Sequence, residues 1–302
     1  MKSALLFMLM LLPSSASAQM PEPWVEHAFP ARFGQLYALA CADEAAFGRS
    51  WQGPVARLEA SGWTSLDRVP GPGRSGSSLW VDRAGSELFT STRNAIVHYR
   101  DGEWTRFEAP LGLGYSNQIV SFDSEHALTV GRARVVGWNG AAYAAYDPGT
   151  WRDLRAIAGT AEDDLWVGGQ RGAVSHFDGE TFERRNIETE GAVTQLWLPS
   201  ADEAWAVVEH PAGVFHWDGE RWSDRSPSGE NVRPTGVGGN AANIYAVGNF
   251  GVVRWQDDRW RDVYRFEFDE YSMPRFRAVC ATRTHVIVAE MEDRAWMREL
   301  PE

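Results

Sequence analysis

Lysine is almost missing from this chain: of 29 basic residues only Lys2 is a lysine, and every later one is arginine. Beyond Lys2 that removes Walker-type phosphate binding, Schiff-base chemistry and lysine general bases. Cysteine occurs twice, at Cys41 and Cys280, too few for a thiolate metal cluster. No HExxH or GxSxG pattern is present, and nothing in the sequence points to a cofactor. Blocks of basic residues are absent as well. With 41 acidic residues and a formal charge of −12, the chain is a poor partner for nucleic acid. Long apolar runs are reduced to one, at residues 4–12, which is too short to span a bilayer.

That run follows Lys2 and precedes Ala16-Ser17-Ala18, the three parts of a secretory signal peptide, with cleavage expected after Ala18. Residues 19–302 are then one soluble domain, periplasmic or secreted and not inserted in a membrane. No cysteine follows the signal to carry a lipid. Cleavage removes Lys2 and takes the formal charge from −12 to −13.

Tryptophan is what the chain has in excess: 15 of 302 residues, within an aromatic content of 12%. Their placement is periodic. The clearest unit is the stretch 165–182, where Leu165 to Gly168 and Ala173 to Phe177 read as strands and Asp178-Gly179 as a two-residue hairpin turn before Phe182. The unit returns at 88–104, 204–222 and 244–260. The aromatic opening its last strand falls at Trp24, Trp63, Trp104, Tyr143, Phe182, Trp222 and Trp260, seven marks about 40 residues apart.

The ends of the chain complement each other. The Trp24 segment has no strands before it to pair with, and the stretch 276–300 supplies three strands where other units have four. Joining them predicts an all-β, seven-bladed β-propeller of four-stranded blades, its ring closed by the N-terminal strand completing the last blade. A linear solenoid would instead need a cap at each end.

The apolar-Gly strands at Leu165–Gly168, Ile244–Gly248 and Leu128–Gly131, with the turns ending at Phe182 and Trp222, resemble the Trp-rich propeller repeats of exported bacterial proteins. That group includes the BNR or Asp-box propellers and the photosystem II assembly-factor type. The resemblance covers nearly all of residues 24–300 and implies a fold shared by glycosidases, assembly factors and binding modules. The turns depart from an Asp box, because Asp and Gly are adjacent at 178–179 and 218–219.

In such a ring the loops between second and third strands share a face with those joining successive blades. Arg93, Arg132 and Arg171 fall within one position of each other there, with His210 next and Trp51 and Phe250 in comparable loops. Guanidinium groups on neighbouring blades suit a carboxylate, uronate or phosphate. The expected function is therefore a non-enzymatic, monomeric binding or scaffold protein for a protein or polysaccharide ligand, anionic in character. The alternative is a carbohydrate-active hydrolase or lyase using loop acids such as Glu209, Asp269, Glu270 and Asp293. The 264–274 loop, with four aromatics and three acids, reads as a packed cover or a recognition loop.

His98, His176 and His216 recur six residues before the marked aromatic. They fall on third strands of separate blades, roughly 10 Å out from the inner strand, and cannot share one metal ion. Packing or hydrogen bonding is their expected role. Cys41 and Cys280 fall on the inner strands of the first and last units. An exported chain permits a disulfide there; a register offset of one residue argues for free thiols.

Overall fold

The structure, a computed structural model, describes residues 20, 22–51, 53–66, 68–71, 78–92, 94–109, 118–123, 125–229, 232–265, 276–290 and 294–301. The signal-peptide segment, Arg93, Asp269, Glu270 and Asp293 lie outside them, as does most of the 264–274 loop.

Seven antiparallel sheets of four strands each form the fold. Blades 1 to 6 span residues 36–66, 80–108, 119–146, 154–184, 192–224 and 234–265. Blade 7 takes three strands from 276–299 and its outermost, Val25–Ala28, from the other end of the chain. That strand pairs antiparallel with Arg294–Glu299, Val25 opposite Met297 and Ala28 opposite Arg294. The ring is closed, as the complementary ends require.

The core is divided among the interfaces between blades. Each of seven apolar clusters draws its main residues from two neighbouring blades, because alternate side chains of every strand face opposite neighbours. Fully buried Phe47, Phe89, Trp205 and Trp296 each contribute about 1.5–3 kcal/mol by leaving water. Near the axis the sheets come close enough to need glycine. A Cβ on Gly238 of blade 6 would lie 2.5 Å from the Val279 carbonyl oxygen of blade 7.

Three of the periodic aromatics share a task. Tyr143 donates to the Phe107 carbonyl (2.6 Å), Trp222 to the Arg185 carbonyl (2.7 Å) and Trp260 to the Arg225 carbonyl, each reaching the outer edge of the preceding blade. The recurrent histidines serve the sheets from within. His98, His176 and His216 lie opposite Phe89, Trp166 and Trp205 and pack against those rings at 4.1–4.5 Å between centroids. Their Nε2 atoms meet Glu87 (3.3 Å), Asp164 (2.8 Å) and Glu203 (3.0 Å).

One expectation is corrected and one open question is settled. Asp178-Gly179 is not a two-residue turn: Phe177 pairs with Phe182, and the Asp178 carboxylate accepts the N–H groups of Glu180 and Thr181 across a four-residue loop. Asp218 does the same for Glu220 and Arg221, and these N–H donors hold both carboxyls below the usual carboxylate range. A two-residue turn does occur at Asp101-Gly102, between paired Arg100 and Glu103. The open question concerned the cysteines. Cys41 and Cys280 form a disulfide with Cα atoms 5.8 Å apart. Leu39 and Cys41 face blade 7, whereas Val279 faces blade 6 and Cys280 faces blade 1. Apposed sheets meet through opposite faces, so the offset of one residue is what a bridge between blades requires.

Candidate functional site

All seven blades line an opening of about 650 Å³ around the axis. Its polar residues arise from an irregularity that the inner strands share. In blades 1, 4, 6 and 7 the register of the first strand slips after its first residue, and in blade 5 after its second, leaving Tyr37, Arg155, Thr194, Thr235 and Arg277 without a cross-strand partner. A bulge re-aims the extra residue, and all five line the opening.

A second set of residues enters from the turns between second and third strands. Arg132 and Gln170 are the first residues after the second strands of blades 3 and 4, Glu209 is the last residue of that strand in blade 5, and all three line the opening. Trp51 holds the same place in blade 1. It is 39% exposed and its ring lies 4.7 Å from that of Tyr37, whose ring in turn carries the Arg277 guanidinium at 5.0 Å. Arg277, Tyr37 and Trp51 thus form one stack running from the opening onto the surrounding face.

Position along the turn decides the fate of the other expected residues. Arg171, His210 and Phe250 come one residue later. Arg171 adopts a left-handed backbone (φ 56°) and its guanidinium is held by Glu190 at 2.8 Å, away from the opening. His210 (φ 55°) is exposed on the turn and does not line the opening. Phe250 is no surface residue: it is fully buried between blades 5 and 6. Of the arginines expected on this face, Arg132 reaches the opening and Arg171 does not.

Arg155 and Arg277 were not anticipated, and neither was Trp151. Arg155 lies 3.7 Å from Glu209, whereas Arg132 and Arg277 make no ion pair among the described residues. Trp151, two residues before Asp153 at the opening, is 80% exposed, with the Arg152 guanidinium over its ring at 5.7 Å. The described acids at the opening are Asp153 and Glu209. A face with guanidinium groups that make no ion pair among the described residues, and with two exposed indoles, can hold an extended anionic ligand by charge and by stacking.

The chain is thus a closed seven-bladed propeller with a polar axial opening. No family model matches it and no curated protein matches its sequence. Solved structures do match its shape. A virginiamycin B lyase from Staphylococcus aureus superposes with a TM-score of 0.77 at 12% identity, over 92% of this chain and 99% of that one. YCF48 bound to a D1 peptide gives 0.72 at 13%, over 96% and 100%. The WD40 propeller domain of Doa1 gives 0.71 at 10%, over 92% and 98%. At such identities the likeness is one of fold.

Proposed function

We propose that this protein is an exported, non-catalytic binding propeller that takes an anionic protein segment or extracellular polymer across the axial opening. The observation that carries this reading is the concentration of cationic side chains without an ion pair among the described residues, Arg132 and Arg277, at the opening shared by all seven blades, in a chain of formal charge −12. Exposed Trp51 and Trp151 on the same face supply rigid contact area of the kind that dominates binding energy. A structural neighbour, YCF48, holds a peptide, which agrees with a ring of this shape serving as a binding surface.

The test uses the chain from residue 19 onward and two immobilised probes, a polyuronate and a peptide with consecutive C-terminal acids. Saturable, salt-sensitive binding to one of them is expected. The double change Arg132→Ala, Arg277→Ala should weaken it tenfold or more, and Trp151→Ala several-fold. Equal binding by the double variant would overturn the assignment of this opening. Turnover of the polymer that disappears in Asp153→Asn or Glu209→Gln would overturn the non-catalytic reading and favour a lyase or hydrolase. N-terminal sequencing of protein recovered from outside the cytoplasm checks export, with Gln19 expected first.

A further inference from the structure

At one pair of positions blade 3 departs from blades 1, 2, 4, 5 and 6; blade 7, with Ile287 opposite Met297, departs as well but keeps bulk there. Where the second strand faces the third toward the next blade, blades 2, 4 and 5 oppose a large aromatic with histidine, and blades 1 and 6 oppose one with arginine. In blade 3 the pair is Leu128 opposite Gly137. The acid that elsewhere meets the histidine, Glu87, Asp164 or Glu203, is itself replaced by a histidine, His126. So the blade loses the bulk that fills the space beside its neighbour and carries an imidazole where blades 2, 4 and 5 carry an acid.

The outcome is a cleft of about 360 Å³ between blades 3 and 4, away from the axial opening. Its walls include Leu128, Tyr146, Leu165, Phe177 and Phe182. Tyr146 is 44% exposed, and the Phe177 and Phe182 rings lie 4.9 Å apart. At the rim stand Glu162, Asp163 and His126, whose Nδ1 is 2.6 Å from Asp123 and 3.5 Å from Glu162. Even with His126 charged, three carboxylates leave this rim net negative.

We propose that the cleft between blades 3 and 4 binds a small organic cation, an ammonium or quaternary ammonium group on an apolar body, held against Tyr146, Phe177 and Phe182 beneath the carboxylates of Glu162 and Asp163. Aromatic faces attract a cation through their quadrupoles, and the attraction grows as water is excluded. A largely apolar cavity with a few convergent polar groups is the usual form of a small-molecule site. The same rim repels an anion, so this pocket and the axial opening select opposite charges. A bare metal ion would use only the rim and leave the apolar walls empty. It would also compete with the short hydrogen bond between His126 and Asp123.

Calorimetric titration of the chain from residue 19 with benzyltrimethylammonium tests this, with choline and its uncharged isostere 3,3-dimethylbutan-1-ol as a charge-only comparison. One saturable site per chain is expected, with choline preferred at least fivefold over the isostere. Gly137→His restores the residue found in blades 2, 4 and 5. A Cβ there would lie 2.9 Å from the Tyr146 ring, so the new side chain displaces that ring, and affinity should fall tenfold or more. Glu162→Gln, at an exposed position, should weaken binding at least threefold without altering the melting temperature, and it decides the matter if the glycine variant folds poorly. No binding at millimolar probe, equal affinity for choline and its isostere, or unchanged binding in the Glu162 variant would each overturn the proposal. So would uptake of Zn²⁺ alone, lost in His126→Ala, in a chain that ignores the ammonium probes.

Discussion

A histidine buried beside an acid need not be an ion pair, and His98 shows why. Its side chain is nearly enclosed by the sheet, and burial pushes its pKa below the usual value despite the opposing pull of Glu87. In the unfolded chain the imidazole takes a proton near pH 6.5, which the folded chain resists. This contribution to stability is therefore complete above pH 6.5 and lost as the pH falls through the lower folded value. Urea midpoints at pH 7.5 and 5.0 should drop less in His98→Gln than in the parent. An equal drop would mean that His98 is charged in the fold. At this scale the sequence was informative wherever residues repeat. Trp222 and Trp260 are spaced by the period because each ties an outer strand to the blade before it. It was misleading where a single position matters, as between Arg132, which reaches the opening, and Arg171, which is held by Glu190.

The inner strand is the element that builds the axial site. An apolar residue, then a polar or aromatic one, then a small or amide-bearing one recurs as Leu36-Tyr37-Ala38, Leu154-Arg155-Ala156, Val193-Thr194-Gln195 and Phe276-Arg277-Ala278. Read as a regular strand, the middle residue points into a blade interface, where a charge would be costly. Arg155 and Arg277 at that place were the legible sign that the strand must bulge, and they passed unused because periodicity alone carries no bulges. The same strands also set how closely blades approach. Gly238→Ala would place a methyl 2.5 Å from the Val279 carbonyl oxygen, forcing the inner strands of blades 6 and 7 apart. The expected loss is roughly 1–3 kcal/mol, by analogy with overpacked cores, read from the urea midpoint. Gly102→Ala bears on a different cost, since nothing lies within 4 Å of its Cβ direction and only its left-handed backbone (φ 86°) resists the change. The comparison separates crowding between blades from strain within a turn.

At the scale of the whole molecule the ring has a single seam, between blades 7 and 1, and two devices close it there. One is the strand Val25–Ala28, which supplies the outer edge of blade 7 from the opposite end of the chain. The other is the Cys41–Cys280 bridge, which joins the inner strands of the two blades across 239 residues of sequence. Their positions differ radially: one seals the rim and the other the axis. The seam was legible in the sequence because complementary fragments stood at the two ends. The bridge was legible only as one of two alternatives, since the offset of its cysteines was judged within one sheet rather than between two that face each other. Removing the bridge by Cys41→Ser with Cys280→Ser returns loop entropy to the unfolded chain and should cost up to roughly 5 kcal/mol in the chain-entropy account. Deleting residues 19–30 leaves the edge of Arg294–Glu299 unpaired, a site for association with other chains. Either change alone leaves the seam held at one radius, so the ring stays shut; both together free blade 7 from blade 1. The combined loss in urea denaturation should therefore exceed the sum of the separate losses by more than 0.5 kcal/mol, the level above which coupling is distinguished from independence. A simple sum would mean that the packing of Ile287 and Ala289 against Leu36 and Leu58 holds the seam without either device.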